Sequence, residues 1–237
     1  KQTPEVKTFG VATQVKVTTK YLIDSPLEDA DQIVEDRLTA GLETISPDFE
    51  IMSSQKVGPT IADDITQAAW YSAIFALTII FLYIVVRFRK LQFGVGALVA
   101  MLHDVLIVLS LFSLLYKFMP FSLEIDQAFI AAILTVVGYS INDTVVVFDR
   151  IREYLGIHKR QDYEGVINDA LNSTLSRTIN TSLSTLVVLL MIFFFGGEVI
   201  RGFVFALIIG VVVGTYSSLC VATPIVVDLT KLTKKKE

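Results

Sequence analysis

Residues 128–150 read AFIAAILTVVGYSINDTVVVFDR, an apolar run that carries Asn142 and Asp143 in its second half. A run of this length can cross the hydrocarbon core of a bilayer as a helix, since that core is about 30 Å thick. At 1.5 Å per residue, Asp143 then lies roughly 9 Å from the end of the helix. An ionised carboxylate at that depth costs about 2.5–3.5 kcal/mol or more, so Asp143 should face protein or water, or bind a proton.

Two roles are open for Asp143. It could load a proton from one aqueous side and release it to the other when its surroundings alternate, which makes it a candidate proton-transfer residue. The alternative is a hydrogen bond that packs two helices together. In either role, Asn142 is a candidate supporting hydrogen-bond partner.

A second polar stretch opens the fourth apolar run. Arg177, Thr181 and Ser184 fall on one helix face there, at positions i, i+4 and i+7. On an antiparallel neighbouring helix, Arg177 would lie at a depth comparable to that of Asp143. The two side chains could pair or alternate, with Arg177 holding the carboxylate ionised when it is close. The alternative is an interfacial arginine whose side chain snorkels to the lipid headgroups.

His103 and Asp104 form another costly pair, near the middle of the second apolar run. Adjacent residues point about 100° apart on a helix, so the two side chains need not touch each other. Either could belong to a proton route, because histidine titrates near physiological pH. A structural hydrogen bond to a neighbouring helix is the alternative.

Five membrane spans are predicted from the apolar runs. The 237-residue chain is 53% hydrophobic and 19% charged, a balance that excludes an ordinary soluble domain, a disordered chain and a coiled coil. The predicted spans lie near residues 68–86, 93–116, 127–149, 178–196 and 200–228, within a membrane domain over residues 59–237. The first helix is expected to begin near Thr60, after Gly58 and Pro59.

Basic residues lie on one side of these spans. Lys and Arg cluster after the first and third spans, before the fourth and in the C-terminal tail. Because cytoplasmic loops carry an excess of Lys and Arg, this distribution predicts a cytoplasmic C-terminus. Counting back through the five crossings places residues 1–58 on the extracytoplasmic side.

Two further patterns concern helix packing. Residues 162–176 place apolar positions at helical spacing with polar residues opposite, which predicts an amphipathic helix at the cytoplasmic interface, either structural or a moving coupling element. In the last span, small residues recur every fourth position and predict close packing of helices. These residues are Gly202, Ala206, Gly210, Gly214 and Ser218.

Residues 1–58, here called the head, are predicted to form a small α+β domain in the order β-α-β. Alternation over residues 10–23 predicts a strand, Ser25-Pro26-Leu27-Glu28 predicts a helix start with a capping box, and a second strand is predicted over residues 49–57. Up to residue 67 the chain holds six Lys/Arg and twelve Asp/Glu, an acidic balance that argues against nucleic-acid binding.

The sequence gives no sign of an enzyme. The spans contain no His-Glu-x-x-His and no serine–lysine pair, and the chain has no P-loop glycines, so we expect no catalytic site, no metal and no nucleotide cofactor. The single Cys220 excludes an intrachain disulfide. Residue 1 is Lys and no apolar leader follows it, so we expect the chain to begin inside a longer polypeptide.

The run VGYSINDTVVVFDRIRE from Val137, with HDV from His103 and SRTINTSLSTL from Ser176, resembles the SecF family of the SecD/SecF protein-export machinery. The resemblance extends over essentially the whole chain. It implies five helices that form half of a bundle similar to the resistance-nodulation-division (RND) transporters, preceded by an extracytoplasmic domain. It also implies a bacterial inner-membrane location, a SecD partner, fused or separate, and work with the SecYEG translocon on a translocating preprotein.

The same resemblance implies how the protein works. The proton motive force would assist preprotein translocation, with Asp143 and Arg177 carrying proton transfer and a further aspartate supplied by a SecD helix. The expected coupling ion is H⁺, with Na⁺ as the alternative. Two other functions stay open, namely half of an RND-type small-molecule exporter and a structural translocon subunit that conducts no protons. The small head argues against the exporter, which would need a large porter domain.

Overall fold

The computed structural model describes residues 4–9, 11–23, 25, 29–46, 48–54, 59–121, 123–158 and 162–234. In these residues the chain forms a short hairpin, one small helix and a bundle of long helices. The elements are β1 (Glu5–Phe9), β2 (Val11–Thr18), α1 (Ala30–Glu43), α2 (Pro59–Phe88), α3 (Leu91–Leu115), α4 (Gln127–Ile157), α5 (Tyr163–Phe195), α6 (Glu198–Ser217), a π-helical turn (Ser218–Ala222) and α7 (Thr223–Lys234).

Five helical stretches are long and apolar enough to cross a membrane. They are Trp70–Phe88 in α2, the whole of α3, α4 and α5, and Val199–Thr233, which runs from α6 through the π-helical turn into α7. The predicted class of a five-span helical membrane protein is confirmed. α2 begins at Pro59, where a proline costs no hydrogen bond because the first N–H groups of a helix have no partner within it.

α4 and α6 form the central pair of the bundle, flanked by α3 on one side and α5 on the other, while α2 packs on α3. Small residues of α6 allow this close approach. A Cβ added at Gly210 would overlap the side chain of Val136, and one at Gly214 would lie 2.9 Å from Ser140 Cβ. Ala206 and Ser218, on the same stripe, are fully buried.

α5 is one continuous helix, which corrects the prediction of a separate amphipathic helix over residues 162–176 before a span at 178. The sequence between Gly165 and Gly196 contains neither Gly nor Pro, so nothing breaks the hydrogen-bond ladder there. Val166, Ile167 and Ala170 are buried. Ile167 and Ala170 face the ends of the neighbouring helices and pack on protein, whereas the prediction placed this face on the lipid interface.

The predicted last span, 200–228, is interrupted by the π-helical turn. Pro224 cannot donate a backbone hydrogen bond, so the ladder must shift near it. Thr223 Oγ1 donates to Ser218 O at 3.0 Å and satisfies one of the released carbonyl groups. Gly96 of α3 packs on this turn, since a Cβ there would lie 2.8 Å from Ala222 O. The turn therefore lies at a close contact between α3 and the last span.

The head differs from the predicted β-α-β order. β1 and β2 pair antiparallel, with an irregularity between Thr8 and Phe9, and α1 follows. The predicted strand over residues 49–57 is wrong over residues 49–54, and residues 55–57 lie outside the described part of the chain. β1 was missed, although a strand so close in sequence pairs with β2 at a small loop-closure cost.

The predicted start of the head helix also shifts. The helix begins at Ala30 with Asp29 at the N-cap, and residues 26–28 of the predicted capping box lie outside the described residues. The hairpin contacts the membrane domain through Lys16, whose Nζ donates to Glu124 Oε2 at 2.7 Å in the loop before α4. The head therefore rests at the end of the bundle where α4 begins.

Candidate functional site

Asp143 lies at the junction of α4, α5 and α6. Its side chain is 5% exposed, and Oδ2 accepts a hydrogen bond from Ser182 Oγ of α5 at 3.5 Å. Ser182 Oγ in turn accepts from Thr215 Oγ1 of α6 at 2.7 Å. Tyr139 of α4 lies beside them, with its hydroxyl 3.4 Å from Ser182 Oγ and 3.5 Å from Thr185 Oγ1.

These contacts leave Asp143 weakly satisfied as an anion. Among the described residues, Ser182 supplies the one hydrogen bond to the carboxylate, and 3.5 Å is at the long limit for such a bond. Burying an ionised carboxylate with so little compensation is costly. The site can therefore exchange between an ionised and a protonated carboxyl group at little structural cost, because few bonds depend on the charge.

Arg177 is exposed on α5, and no ion pair joins it to Asp143 in the described part of the chain. A guanidinium group favours an ionised carboxylate when the two groups lie close together. The structure therefore does not show the direct pairing that the sequence allowed. A change of the Arg177 side-chain rotamer or a shift of α5 would be needed to bring the guanidinium into contact.

Asn142 is not brought to Asp143. It is exposed on α4, because the next residue along a helix points about 100° away. In this structure Asn142 therefore does not make the predicted hydrogen bond to the Asp143 carboxylate. Asn142 instead lies one turn after Tyr139, at the seam where α4 meets α5.

Exposed polar residues line this seam on the α5 side as well. Thr181 and Arg177 lie one and two turns before Thr185, which is the residue that Tyr139 of α4 approaches. We call the following set the polar face, all of it exposed in the structure: Asn142, Arg177, Asn180, Thr181 and Ser184. The hydroxyl groups of Thr181 and Ser184 donate to the backbone oxygens of Arg177 and Asn180, at 3.0 and 2.7 Å.

Asp104 occupies a second buried polar junction, between α3, α4 and α6. It is fully buried, and its Oδ2 accepts from Ser140 Oγ of α4 at 2.6 Å and from Ser217 Oγ of α6 at 2.9 Å. His103 Nδ1 lies 3.1 Å from Oδ1. Tyr216 Oη lies 2.6 Å from the other ring nitrogen of His103. The adjacent His103 and Asp104 side chains do touch.

Sequence reasoning missed the hydroxyl groups that surround both carboxylates. Only their positions in the chain could have pointed to these hydroxyl groups, because serine and threonine are common residue types. The residues are Ser182, Thr215, Ser140 and Ser217. Ser140 precedes Asp143 by three residues, and Ser217 adjoins the small-residue stripe of α6. Among the described residues, no group of three His, Cys, Asp or Glu side chains could hold a metal ion.

Comparison with known proteins assigns the chain to a family. The sequence profile described as "Protein export membrane protein SecD/SecF, C-terminal" matches residues 37–232. The chain belongs to the SecD/SecF family of protein-export membrane proteins. The resemblance to SecF that the motifs indicated is confirmed by curated relatives that carry that name.

Two such SecF relatives show how far the similarity extends. "Protein translocase subunit SecF" of Rhodothermus marinus is 50% identical over 226 residues, which cover 95% of this chain and 71% of that protein. The protein of the same name from Haemophilus influenzae is 40% identical over 96% of this chain and 66% of its own length. The chain thus spans about two thirds of these SecF proteins.

Solved SecDF structures share the fold. SecDF from Thermus thermophilus, described as a translocon-associated membrane protein, is 38% identical with a TM-score of 0.70, over 92% of this chain and 28% of that one. SecDF in a super-membrane-facing form gives 36% identity and the same TM-score of 0.70, over 94% of this chain and 28% of that one. The chain is therefore a multi-pass membrane component of protein export, corresponding to part of a larger SecDF assembly.

Proposed function

We propose that this chain is the SecF part of a SecDF complex that uses the proton motive force to assist preprotein translocation through the SecYEG translocon. The observation that carries the proposal is Asp143, a buried acid at hydrocarbon depth with one long hydrogen bond. Membership of the family supports the protein-export role. The proton coupling is argued from the site itself.

In this mechanism Asp143 takes up a proton from one aqueous side and becomes neutral. When Arg177 approaches, its positive charge favours the ionised form and releases the proton to the other side. Moving one charge across 100 mV supplies about 2.3 kcal/mol, enough to bias two conformations that differ by a few kcal/mol. The coupling ion in this proposal is H⁺, and Na⁺ is an outcome of the tests.

The polar face supports SecD as the direct partner. Exposed Asn142, Asn180 and Arg177 lie on spans where lipid cannot hydrogen-bond them. Intramembrane polar side chains ordinarily face other helices or water. A SecD helix laid along the α4–α5 seam would cover them and place its own acidic group near Asp143, while lipid covers the apolar faces of the bundle.

The orientation in this proposal follows the basic residues. The protein lies in the bacterial inner membrane with its C-terminus in the cytoplasm, and the head over residues 1–58 lies on the extracytoplasmic side. Lys16 joins the head to Glu124, two residues before Asp126, which caps α4 by accepting from Phe129 N at 2.9 Å. A movement of α4, the helix that carries Asp143, would therefore be transmitted to the head. In this proposal the head is the part that moves.

The direct test replaces Asp143 by Asn in the complete SecD/SecF complex and measures preprotein export into membrane vesicles with and without a proton gradient. We expect the gradient-dependent part of export to be lost while complex abundance stays normal. Asp228→Asn, an exposed carboxylate on α7, is the matched control. Full gradient-dependent export by Asp143→Asn would contradict the proposal and favour a structural subunit that conducts no protons.

A further inference from the structure

Three side chains form an unbroken hydrogen-bonded chain from the outside of the bundle to its interior. Tyr216 is 41% exposed, the His103 side chain is 28% exposed and Asp104 is fully buried. The contacts are 2.6 Å from Tyr216 Oη to His103 Nε2 and 3.1 Å from His103 Nδ1 to Asp104 Oδ1. The first contact joins two helices, since Tyr216 belongs to α6 and His103 to α3, whereas the second joins neighbouring residues of α3.

The three residues also lie at similar depth. At 1.5 Å per residue, His103 is ~18 Å from the start of α3 and Tyr216 is ~27 Å from the start of α6, so both lie well inside their spans. Polar side chains at such depth are costly unless they serve a function or are fully paired. Ser140 and Ser217 both donate to Oδ2 of Asp104, and His103 Nδ1 faces Oδ1. Tyr216 does not contact the carboxylate, so its hydrogen bond to His103 is beyond what satisfying the carboxylate requires.

The donors in this chain can be assigned when Asp104 is ionised. A carboxylate only accepts, so His103 Nδ1 must carry the hydrogen that faces Oδ1. In the neutral ring Nε2 then accepts, and Tyr216 Oη donates to it. Every hydrogen bond therefore points inward, from the exposed hydroxyl to the buried carboxylate.

We propose that Tyr216, His103 and Asp104 form a second proton-binding chain, distinct from Asp143, that delivers a proton from the outside of the bundle to the α3–α4–α6 junction. The proposal rests on the proposed proton-coupled function and extends it to a second buried acid. Its ligand is a proton, and the proposal requires that water reach the Tyr216 hydroxyl in the assembled complex, since this side chain lies inside the span.

The transfer balances without any other reactant. A hydronium ion gives a proton to Tyr216 Oη as the tyrosine O–H bond breaks and an Nε2–H bond forms on His103. The His103 Nδ1–H bond breaks at the same time, and an O–H bond forms at Asp104 Oδ1. The products are water, tyrosine, the other neutral tautomer of His103 and a neutral Asp104. The reverse sequence of steps releases the proton and restores the first tautomer.

Protonation changes what holds the three helices together. Ser140 of α4 and Ser217 of α6 both donate to Oδ2, and a neutral carboxyl group is a weaker acceptor than a carboxylate. Ser140 lies three residues before Asp143 on the same helix, and Gly214 of α6 packs on it. Loading Asp104 would loosen α4 from α3 and α6 next to the first site, which couples the two acids mechanically.

The surrounding helices add few other ionisable groups near this chain. Cys220 lies one turn after Tyr216, Asp143 is on α4 and Arg177 is on α5. The remaining groups are towards the ends or the outside of the bundle. Among the described side chains they are Tyr71, Tyr83 and Arg87 on α2, Asp149, Arg150, Arg152, Glu153 and Tyr154 on α4, Arg201 on α6, and Asp228 and Lys231 on α7, and Tyr139 of α4 lies at the α4–α5 seam.

The test uses the SecD/SecF complex in vesicles with variants Tyr216→Phe, Asp104→Asn and Asp143→Asn, and Tyr83→Phe as the control. Tyr83 is an exposed tyrosine on α2 outside the chain, and Tyr216→Phe keeps the ring packing while it removes the hydroxyl group. Proton flux across the vesicles is measured against pH. Infrared difference spectra between low and high pH record the C=O band of any carboxyl group that takes up a proton.

We expect one carboxylic-acid band to disappear in Asp104→Asn and to persist in Asp143→Asn. Proton flux in Tyr216→Phe should fall by at least about tenfold with a changed pH profile, since positioned proton-transfer groups contribute ~10²–10⁴-fold. Tyr83→Phe should match the unmodified protein. An unchanged flux and pH profile in Tyr216→Phe, together with no band assigned to Asp104, would show a structural latch only and overturn the inference.

The outcomes separate this inference from the proposed function. Loss of flux in Asp143→Asn with normal flux in Tyr216→Phe and Asp104→Asn keeps the proposed function and rejects the second chain. Normal flux in Asp143→Asn with loss in Tyr216→Phe rejects Asp143 as the carrier and supports the chain. If Asp104→Asn fails to assemble, Tyr216→Phe still decides, because its packing is conserved.

Discussion

At the scale of single residues, the two buried carboxylates differ in how well they are paired. Asp104 accepts two serine hydroxyls and faces His103, whereas Asp143 accepts one long bond from Ser182. Hydrogen bonds to the ionised form stabilise it, so Asp143 depends more on other charges. Arg177 of α5 is the candidate positive charge for that role.

The role of Arg177 can be tested through charge alone. We expect Arg177→Lys to retain most of the proton-dependent export, because it keeps a mobile positive charge, and Arg177→Gln to lose it by about tenfold or more, because release from Asp143 is no longer favoured. Export is measured in vesicles with a proton gradient. Equal export by the two variants would mean that Arg177 only anchors α5 at the interface.

Sequence reasoning found the acids and the arginine because charge inside an apolar run is conspicuous. It did not find their partners. Ser182, Thr215 and Ser217 are unremarkable in sequence, and which hydroxyl reaches which carboxylate depends on the rotation of each helix about its axis. Asn142 shows the same limit, because it is adjacent to Asp143 in sequence but does not contact its side chain.

At the scale of helices, close contact between α4 and α6 holds the central pair. Gly210 leaves room for Val136, and Gly214 leaves room for Ser140. Such small-residue contacts let two backbones approach in a membrane, where the hydrophobic effect does not drive helices together.

Gly210→Ala should therefore destabilise the bundle. The added Cβ would overlap Val136, and overpacking of this kind costs about 1–3 kcal/mol. Gly156→Ala on α4 is the matched control, because nothing lies within 4 Å of the added Cβ and alanine is favoured in helices by up to about 1 kcal/mol. Thermal unfolding in detergent measures both. A Gly210→Ala melting temperature equal to or above that of Gly156→Ala would refute this packing account.

Hydropathy predicted where the spans lie, but it did not predict where one helix ends and the next begins. Nothing between Gly165 and Gly196 breaks α5, and the amphipathic pattern before Arg177 could suit lipid or protein equally. Val166 and Ile167 are buried, so this face of the helix packs against protein and not against lipid. The π-helical turn depends on Pro224 together with the packing of Gly96, which no local pattern reveals.

At the scale of the whole molecule, the head and the Asp143 site are joined through α4. Lys16 and Glu124 tie the hairpin to the start of this helix, and Asp143 lies further along it. An exposed ion pair contributes only about 0–1 kcal/mol, so the contact is weak enough to break and re-form.

Carbodiimide coupling tests this connection, since it joins a lysine to a carboxylate at ion-pair distance. With 2.7 Å between Lys16 Nζ and Glu124 Oε2, we expect an amide cross-link that mass spectrometry detects. Lys16→Arg keeps the positive charge and cannot form this amide, so it is the control. Cross-linked complex should lose gradient-dependent export because the head is held. Full export after quantitative cross-linking would show that the head need not leave the loop.

The most direct measurement of the central claim is the ion current through vesicles that contain SecD with this chain, with pH and Na⁺ gradients varied separately. For the unmodified protein we predict a current that follows the pH gradient at any Na⁺ concentration. Asp143→Asn should abolish that current without loss of protein from the vesicles. A current that persists in Asp143→Asn, or one that follows Na⁺ alone, would contradict proton transfer by Asp143.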